Sequence, residues 1–492
     1  MSRELERFAA SCILPGFEGP VAPDWVRRWL QDGLGGVVLF AWNVESPEGL
    51  AALTASLREE REDVVVALDE EGGDVTRLEA RTGSSYPGNA ALGAVDDVDL
   101  TERVAAAIGS ELADVGVNLD LAPVADVNSN PRNPVIGIRS FGAEPALVAR
   151  HVAAFVRGLQ GSGVAACAKH FPGHGDTAED SHLELPVVER LEEGALLPFR
   201  AAIEAGARAV MTAHIVVRAL GAEPATTSPA LLRGLLRDEL GFDGMVVTDA
   251  LEMRAISVNA GVEEGAIRAI ASGADGLCLG HDLFEDAVRR VRDALVEAVR
   301  AGRISEERLA EAAGRVREAG TWASSLRAGR IDPEARRRTG AEGARRAVRV
   351  VGDVALAGPP LVVALEPEPG IAAGALPQGP GDWFREVVPG TEVARVTEAG
   401  ADVLPGTDGR PLVIVARDAH RHAWERAAIE ALLARHADAV LVEVGLPEWR
   451  PSGVATYVAT YGAGRANVRA AAERLYSGSR RGVEQSGSSP GS

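Results

Sequence analysis

The sequence contains only one lysine, Lys169, although lysine and arginine together number 51. A composition that favours arginine this strongly can leave a single lysine by chance, so the observation needs support from the residues around it. Lysine carries a compact charge on a flexible stem, whereas the planar guanidinium of arginine would not fit a tight pocket in the same way. Position 169 is therefore a candidate active-site position.

Cysteine is nearly as scarce as lysine. Cys12, Cys167 and Cys278 each lie inside an apolar run and show no paired spacing. This pattern excludes a disulfide framework and predicts buried thiols in a reducing compartment, with a catalytic cysteine as the less favoured interpretation. No apolar run is long enough to span a membrane, and no signal-peptide region follows the N-terminal residues. We therefore expect a cytoplasmic protein.

Basic charge is also in deficit, since the formal net charge is -20. This balance excludes nucleic acids and anionic membranes as partners, because both require basic patches. The content of 46% hydrophobic and 25% charged residues is that of a soluble globular enzyme, and 492 residues predict one large and one smaller domain. Oligomeric state leaves no signal in the sequence.

Short apolar runs alternate with amphipathic helical stretches over the first 326 residues. This alternation, with runs buried on both faces, predicts a parallel sheet in the form of an N-terminal (β/α)8 TIM-type barrel, with a doubly wound open sheet as the alternative. The eight predicted strands are Ala10–Leu14, Gly36–Phe40, Val64–Leu68, Val117–Leu121, Val164–Lys169, Ala209–Thr212, Met245–Thr248 and Asp275–Leu279.

A different pattern follows the barrel. We predict a catalytic barrel over residues 1–326, an Arg-rich connector over 327–349, a smaller α/β layered domain over 350–477, and a disordered Ser- and Gly-rich tail over 478–492. The predicted strands of the smaller domain are Leu361–Leu365, Glu392–Val396, Pro411–Ala416, Ala439–Val444 and Ala455–Ala459.

Polar residues of the types that catalyse reactions or bind ligands lie where the predicted barrel strands end. Because the carboxyl ends of barrel strands meet at one mouth, their side chains are expected to form a site there. A carboxylate at a strand end can also simply cap the following helix, which is the ordinary alternative for Asp69 and Asp249. The residues in question are Asp69, Lys169, His170, His214 and Asp249.

The segment after Lys169 is predicted to be a long loop, because Pro172, Gly173 and Gly175 disfavour a helix. One residue separates Asp180 from His182, close enough for the carboxylate to orient the imidazole for proton transfer near neutral pH. Hydrogen bonds within the loop are the structural alternative, and it applies best to His174 and Asp176. A metal site built from His170, His174, Asp176, Asp180 and His182 is a third interpretation, disfavoured by the neighbouring lysine and by the lack of a helical His-Glu-x-x-His spacing.

These motifs together resemble glycoside hydrolase family 3, and in particular its bacterial β-N-acetylglucosaminidases. The resemblance covers essentially the whole predicted barrel, and its most specific part is the loop that begins at Lys169. The matching segments, in chain order, are Gly36–Phe40, Leu68–Gly73, Leu121–Val127, Val135–Gly142, Lys169–His182, Met211–His214 and Gly241–Asp249.

The resemblance implies a two-step retaining mechanism. Asp249 matches the nucleophile, and His182 assisted by Asp180 matches the acid/base of the acetylglucosaminidase branch, where most glycosidases use a second carboxylate. A histidine would not repel an anionic acceptor, so attack by phosphate and release of a sugar 1-phosphate are conceivable. The family's sugar contacts correspond to Asp69, Arg77, Arg139, Lys169 and His170, and His214 is predicted to join them in the pocket.

Three positions depart from the family pattern. Asp74 follows Gly73 where relatives usually carry arginine, and Ala250 follows Asp249 where a second aspartate is usual. Trp42 also stands where relatives commonly carry arginine, and it can stack on a sugar or pack on the surface. These departures leave the nucleophile in place but affect the rim of the predicted pocket.

The sequence therefore predicts a cytoplasmic exo-β-N-acetylglucosaminidase that acts on peptidoglycan-derived or related glycans and needs no metal or cofactor. Within the same chemistry, a β-glucosidase or a phosphorylase is the alternative. Two alternatives belong to other functional classes, namely a metal-dependent barrel hydrolase and an inactive sugar-binding protein.

Overall fold

The computed structural model describes residues 2–177, 185–253, 261–280, 283–322, 329–352, 356–368, 378–401 and 404–486. The chain forms two compact units. The first comprises Met1–Glu71, Asp97–Ile136 and Ser140–Arg336, and the second comprises Gly72–Asp96, Gly137–Arg139 and Arg337–Ser492. Two segments that lie inside the predicted barrel in sequence therefore belong to the second unit.

The described residues of the first unit include the strands β1 (Ile13–Leu14), β2 (Gly36–Val38), β3 (Val65–Leu68), β4 (Leu119–Asp120), β5 (Ala165–Phe171), β6 (Val187–Val188), β7 (Ala209–Thr212), β8 (Val216–Val217), β9 (Met245–Thr248) and β10 (Leu277–Cys278). A six-stranded parallel sheet has the order β2-β3-β4-β5-β7-β9, while β1 pairs with β10 and β6 pairs with β8.

The parallel sheet closes through the β1–β10 pair. On one side, Val247 of β9 bridges to Gly276, just before β10. On the other side, the Val38 amide of β2 donates to the Pro15 carbonyl that follows β1, at 3.0 Å. The predicted (β/α)8 barrel is thereby confirmed, and closure rules out the open doubly wound sheet. All eight predicted runs contain barrel strands.

Helices cover the outside of the barrel and flank the second sheet. One start shows ordinary capping: Ser46 accepts a hydrogen bond from the Gly49 amide at 3.1 Å, and Pro47 is the first residue of the helix that follows. In chain order they are α1 (Ser2–Ser11), α2 (Asp24–Asp32), α3 (Pro47–Glu60), α4 (Asn89–Val95), α5 (Val98–Asp114), α6 (Pro145–Gly161), α7 (Glu193–Glu204), α8 (Ala230–Glu239, with π-type hydrogen bonds), α9 (Val262–Ser272), α10 (Glu285–Arg300), α11 (Glu306–Trp322), α12 (Pro333–Ala347), α13 (Pro380–Val387), α14 (Ala423–Arg435) and α15 (Arg465–Ser486).

The inside of the barrel is filled by small and medium apolar side chains, among them Ala67, Ala165 and Ala209. Cys167 and Cys278 belong to this core, and all three cysteines are free and buried, as the sequence predicts. None of the described helices is long and apolar enough to cross a membrane.

The second unit carries a six-stranded sheet in the order β11-β16-β15-β14-β12-β13, parallel except for β11, which is antiparallel to β16. Apolar side chains cover both faces of this sheet. The smaller α/β layered domain is thus confirmed. The strands are β11 (Arg349–Val351), β12 (Leu361–Leu365), β13 (Glu392–Val396), β14 (Leu412–Ala416), β15 (Val440–Glu443) and β16 (Thr456–Ala459).

Helices occupy parts of the predicted connector and of the predicted C-terminal tail. Helix α12 occupies most of the predicted connector, because its Arg-rich stretch keeps enough alanine to favour a helix. The boundary between the units falls within this helix, between Arg336 and Arg337. Helix α15 extends to Ser486, into the segment for which the sequence predicts disorder.

Candidate active site

Lys169 lies on β5 and is 1% exposed. Its Nζ atom is 2.6 Å from Asp69 Oδ1 and 2.7 Å from Glu71 Oε1, both just past the end of β3. A buried ammonium is costly unless it is paired and hydrogen-bonded, and two carboxylates satisfy this requirement here. The strand ends therefore bring together a lysine and an aspartate that are 100 residues apart in sequence.

Asp120, at the end of β4, supports this cluster from below. Its Oδ1 accepts a hydrogen bond from the Glu70 amide at 2.9 Å. Burial raises the pKa of Asp120 well above its usual range, the Glu70 and Asp69 carboxylates raise it further, and the Glu70 amide and the Lys169 ammonium oppose the shift. Asp120 therefore holds the turn after β3 in place beneath Asp69.

His170 is oriented by Asp126, which is fully buried. Asp126 Oδ2 lies 2.7 Å from His170 Nδ1, and Asp126 Oδ1 accepts the amide of His174 at 2.6 Å and that of His170 at 3.3 Å. Because an ionised carboxylate only accepts hydrogen bonds, this contact places a proton on Nδ1 and directs Nε2 away from Asp126. A single aspartate thus sets both the ring orientation and the start of the loop after β5.

His174 and Asp176 hold that loop together. The Nδ1 atom of His174 is 2.7 Å from Thr177 Oγ1, and Asp176 accepts a hydrogen bond from Ser129 at 3.1 Å. Burial lowers the pKa of His174 to about 4, although Asp126 and Asp249 oppose the shift. A histidine that is neutral at pH 7 and bonded within the loop plays the structural part that the sequence favoured for it.

Asp249 follows β9 directly, and its Oδ1 accepts the Ala250 amide at 2.8 Å. His214 lies beside this turn and is fully buried. One ring nitrogen of His214 is 2.7 Å from Thr226 Oγ1, and the other is 3.0 Å from the Ala250 carbonyl. Since both nitrogens contact the protein, the geometry favours a role in holding the Asp249 turn, and the sugar contact of His214 stays a prediction.

The two core cysteines, Cys167 and Cys278, both have a raised thiol pKa. Burial raises the pKa of Cys167, with Asp120, Asp69 and Asp249 raising it further and Lys169 opposing the shift. The pKa of Cys278 is likewise raised, first by burial and then by carboxylates that include Asp249 and Asp69. The raised pKa of each thiol disfavours a catalytic cysteine, because the thiolate is the nucleophile.

The contacts above do not include four of the predicted site residues. Asp180 and His182 fall in residues 178–184, outside the described part of the chain. Arg77 and Arg139 belong to the second unit, on Gly72–Asp96 and Gly137–Arg139. Over the described residues, no group of three or more His, Cys, Asp and Glu side chains is arranged to hold a metal ion.

The positions that depart from the family pattern have definite contacts. Trp42 is 42% exposed, stacks on Phe40 with ring centroids 4.9 Å apart, and donates its indole N–H to the Phe17 carbonyl at 3.0 Å. Asp74 is buried and pairs with Arg417. Ala250 contributes its carbonyl to His214.

Sequence reasoning missed the supporting carboxylates Glu71, Asp120 and Asp126. Glu71 and Asp126 lie inside segments that carry the family resemblance, next to residues with predicted roles. Asp120 is the last residue but one of the predicted strand Val117–Leu121, and its position near a strand end was an available signal. What sequence could not show is that each of the three faces a particular charge or ring.

Comparisons with known proteins give matches in sequence and in fold. Residues 21–319 match the glycosyl hydrolase family 3 N terminal domain. The beta-hexosaminidase A of Pseudoalteromonas piscicida is 36% identical over 344 residues, which are 63% of this chain and 55% of that protein. The chain thus spans about half the length of that relative.

Solved structures resemble both units. A glycoside hydrolase family 3 beta-N-acetylglucosaminidase from Paenibacillus sp. str. FPU-7 superposes with a TM-score of 0.83 at 34% identity, covering 96% of this chain and 97% of that one. The beta-glucoside phosphorylase BglX bound to 2FGlc superposes with a TM-score of 0.75 at 21% identity, covering 96% of this chain and 93% of that one. The second likeness shows the fold alone.

Proposed function

We propose that this chain, which belongs to glycoside hydrolase family 3, is a glycosidase that removes terminal N-acetylglucosamine in β-linkage from peptidoglycan-derived or related glycans. The observation that carries this proposal is the buried Lys169–Asp69 pair, with the oriented His170 next to Lys169 in the chain. These residues lie at carboxyl ends of barrel strands, and Asp249 directly follows another such strand, β9. The names of the hexosaminidase relative and the Paenibacillus acetylglucosaminidase support the choice of sugar. A cytoplasmic location agrees with the buried free cysteines but stays a prediction.

The proposed reaction has two steps that retain the anomeric configuration. A carboxylate oxygen of Asp249 attacks the anomeric carbon, while His182 gives a proton to the departing glycosidic oxygen. His182 then takes a proton from water, which attacks the same carbon and releases Asp249. Asp180 orients His182 and stabilises its charged form. These roles rest on the family resemblance.

The sugar is proposed to bind through its hydroxyl and acetamido groups. The side chain of Asp69 is 18% exposed, whereas that of Lys169 is 2% exposed. The Asp69 carboxylate, held in place by the Lys169 ammonium, can therefore accept hydrogen bonds from sugar hydroxyls. Glu71, also 2% exposed, neutralises Lys169 on the other side. His170 is proposed to present Nε2 to the sugar. Arg77, Arg139 and His214 complete the set of predicted sugar contacts.

The test measures release of 4-nitrophenol from 4-nitrophenyl N-acetyl-β-glucosaminide by wild type and by Asp249→Ala. We expect turnover that resists a chelator and that the variant loses. Asp243→Ala is the matched control, because this exposed aspartate lies just before the same strand, at its other end. Turnover that survives in Asp249→Ala would overturn the nucleophile.

Further arms of the same experiment separate the alternatives. A sugar 1-phosphate formed only in the presence of phosphate would identify a phosphorylase. Loss of activity with the chelator would identify the metal-dependent hydrolase. Turnover of the glucoside in preference would identify a β-glucosidase, and binding of N-acetylglucosamine without turnover would identify a sugar-binding protein.

A further inference from the structure

The residues between β3 and α5 do not fold with the barrel strands that they connect. Gly72–Asp96 belongs to the second unit, and this segment carries Arg77. The Ser84 carbonyl accepts the Ala466 amide of α15 at 3.1 Å, and Gly73 lies so close to Gly464 that a Cβ on Gly464 would be 2.9 Å from the Gly73 carbonyl oxygen. The backbone of the segment therefore packs directly against the start of α15 and the glycine that precedes it.

Asp74 is the charged contact in this packing. It is 6% exposed, its Oδ2 lies 2.8 Å from Arg417 Nη2, and its Oδ1 accepts the Ala463 amide at 2.9 Å. Arg417 follows β14 and Ala463 follows β16, so one carboxylate joins the segment to the ends of two strands of the second sheet that β15 separates. Asp74 is three residues from Arg77.

The segment of Arg139 is attached to the same unit. Gly137–Arg139 is a single helical turn, and the side-chain amide of Asn89 donates to the Arg139 carbonyl at 2.7 Å. Asn89 is 2% exposed and begins α4, which lies in Gly72–Asp96. Both arginines that are predicted to bind the sugar thus lie on segments that the second unit holds.

We propose that the Asp74–Arg417 pair positions Arg77 for sugar binding, and that the Asn89 contact does the same for Arg139. This inference rests on the proposed function, because it takes the two arginines to be sugar contacts. Asp74 and Arg417 are positioning residues, since each acts through the segment and not on the substrate. The departure from the family pattern at position 74 thereby acquires a function.

The test compares Arg417→Gln with wild type on 4-nitrophenyl N-acetyl-β-glucosaminide. Misplacing a binding residue weakens binding of substrate and transition state alike, so we expect KM to rise on the order of tenfold with kcat changed less than about twofold. Arg417→Lys restores a cation and should recover most of the KM. Arg410→Gln is the matched control, since Arg410 pairs with Glu392 at 2.6 Å on the exposed surface of the same sheet, and its KM should match wild type.

A double-variant cycle shows whether Arg417 acts through Arg77. If it does, the KM of Arg77→Gln/Arg417→Gln equals that of Arg77→Gln alone, because the positioning contact has nothing left to position. Independent effects that multiply would overturn the inference, as would a KM unchanged in Arg417→Gln while Arg77→Gln raises it.

If Arg417→Gln folds poorly, Asp74→Asn gives the same measurement, because it keeps the shape of the side chain and removes its charge. An unchanged KM in Arg77→Gln itself would refute the proposed sugar contact, and an inactive wild type would refute the proposed function.

Discussion

Replacing Lys169 with methionine should expose the charge balance at the centre of the site. The methionine keeps most of the volume of the side chain but removes the ammonium, which lies 2.6 Å from Asp69 and 2.7 Å from Glu71. Removing one partner of a buried ion pair costs about 3–5 kcal/mol, because the remaining charge stays buried. We expect Lys169→Met to lower the free energy of unfolding of the first unit by this amount and to abolish measurable turnover.

The pH dependence of this loss has a definite sign. Without the ammonium, burial disfavours the charged form of these carboxyls, so at mildly acidic pH the folded variant binds more protons than its unfolded chain. Stability of the variant then falls as pH rises above about 4, and the deficit relative to wild type shrinks as the pH is lowered toward 4. Thermal unfolding followed by circular dichroism at pH 4.5, 6 and 7.5 measures this trend.

Two further variants separate stability from catalysis. Lys169→Met/Glu71→Gln removes the more deeply buried carboxylate, so it should regain a large part of the lost stability while remaining inactive. Lys169→Arg keeps the charge but brings a planar fork between two carboxylates that are spaced for an ammonium, so it should lose both stability and activity. A fully active and stable Lys169→Arg protein would refute the argument that this site requires a lysine.

The supporting residues give two more predictions. Asp126→Asn should lower kcat/KM by roughly 10–100-fold, because an amide facing His170 no longer fixes its proton on Nδ1; loss of the group that orients a metal-bound histidine typically costs this factor, and we expect the same magnitude for His170. Steady-state kinetics checks this, and an unchanged kcat/KM would contradict it. His174 has a folded pKa of about 4, below its unfolded value, so its contribution to stability is fully present above pH 6.5 and is lost as the pH falls toward 4, by about 3 kcal/mol. Unfolding curves of wild type and His174→Gln over this range measure the contribution, and parallel pH profiles of the two proteins would show that His174 does not supply it.

Much of the fold follows from local patterns in the chain. Continuous apolar runs such as Met245–Thr248 have no polar face to leave in water, so they must be buried on both sides, and their alternation with amphipathic helices leaves few architectures. Short elements escaped this reasoning. Strand β11 (Arg349–Val351) is a three-residue antiparallel edge strand, too short to show a period, and α12 was hidden by its many arginines.

The site divides in the same way. Asp69, Lys169 and Asp249 could be placed at the barrel mouth because each ends or follows an apolar run. The role of Asp126 could not be assigned, because a carboxylate in a loop can face solvent, a helix end or a ring, and only the 2.7 Å contact with His170 distinguishes these. The bracing contacts of His214 are equally invisible in sequence, since they depend on where Thr226 and Ala250 fall in space.

The sequence by itself determined the strand and helix pattern, the eight-stranded barrel with its second domain, and the residue types available at the strand ends, because these depend on burial periodicity and on chain direction. The tertiary structure alone decided which charges neutralise one another and which unit each loop joins. Arg77 and Arg139 lie between barrel strands in sequence, yet they fold with the second unit, because packing is set by contacts such as Asp74 with Arg417 between residues more than 300 positions apart.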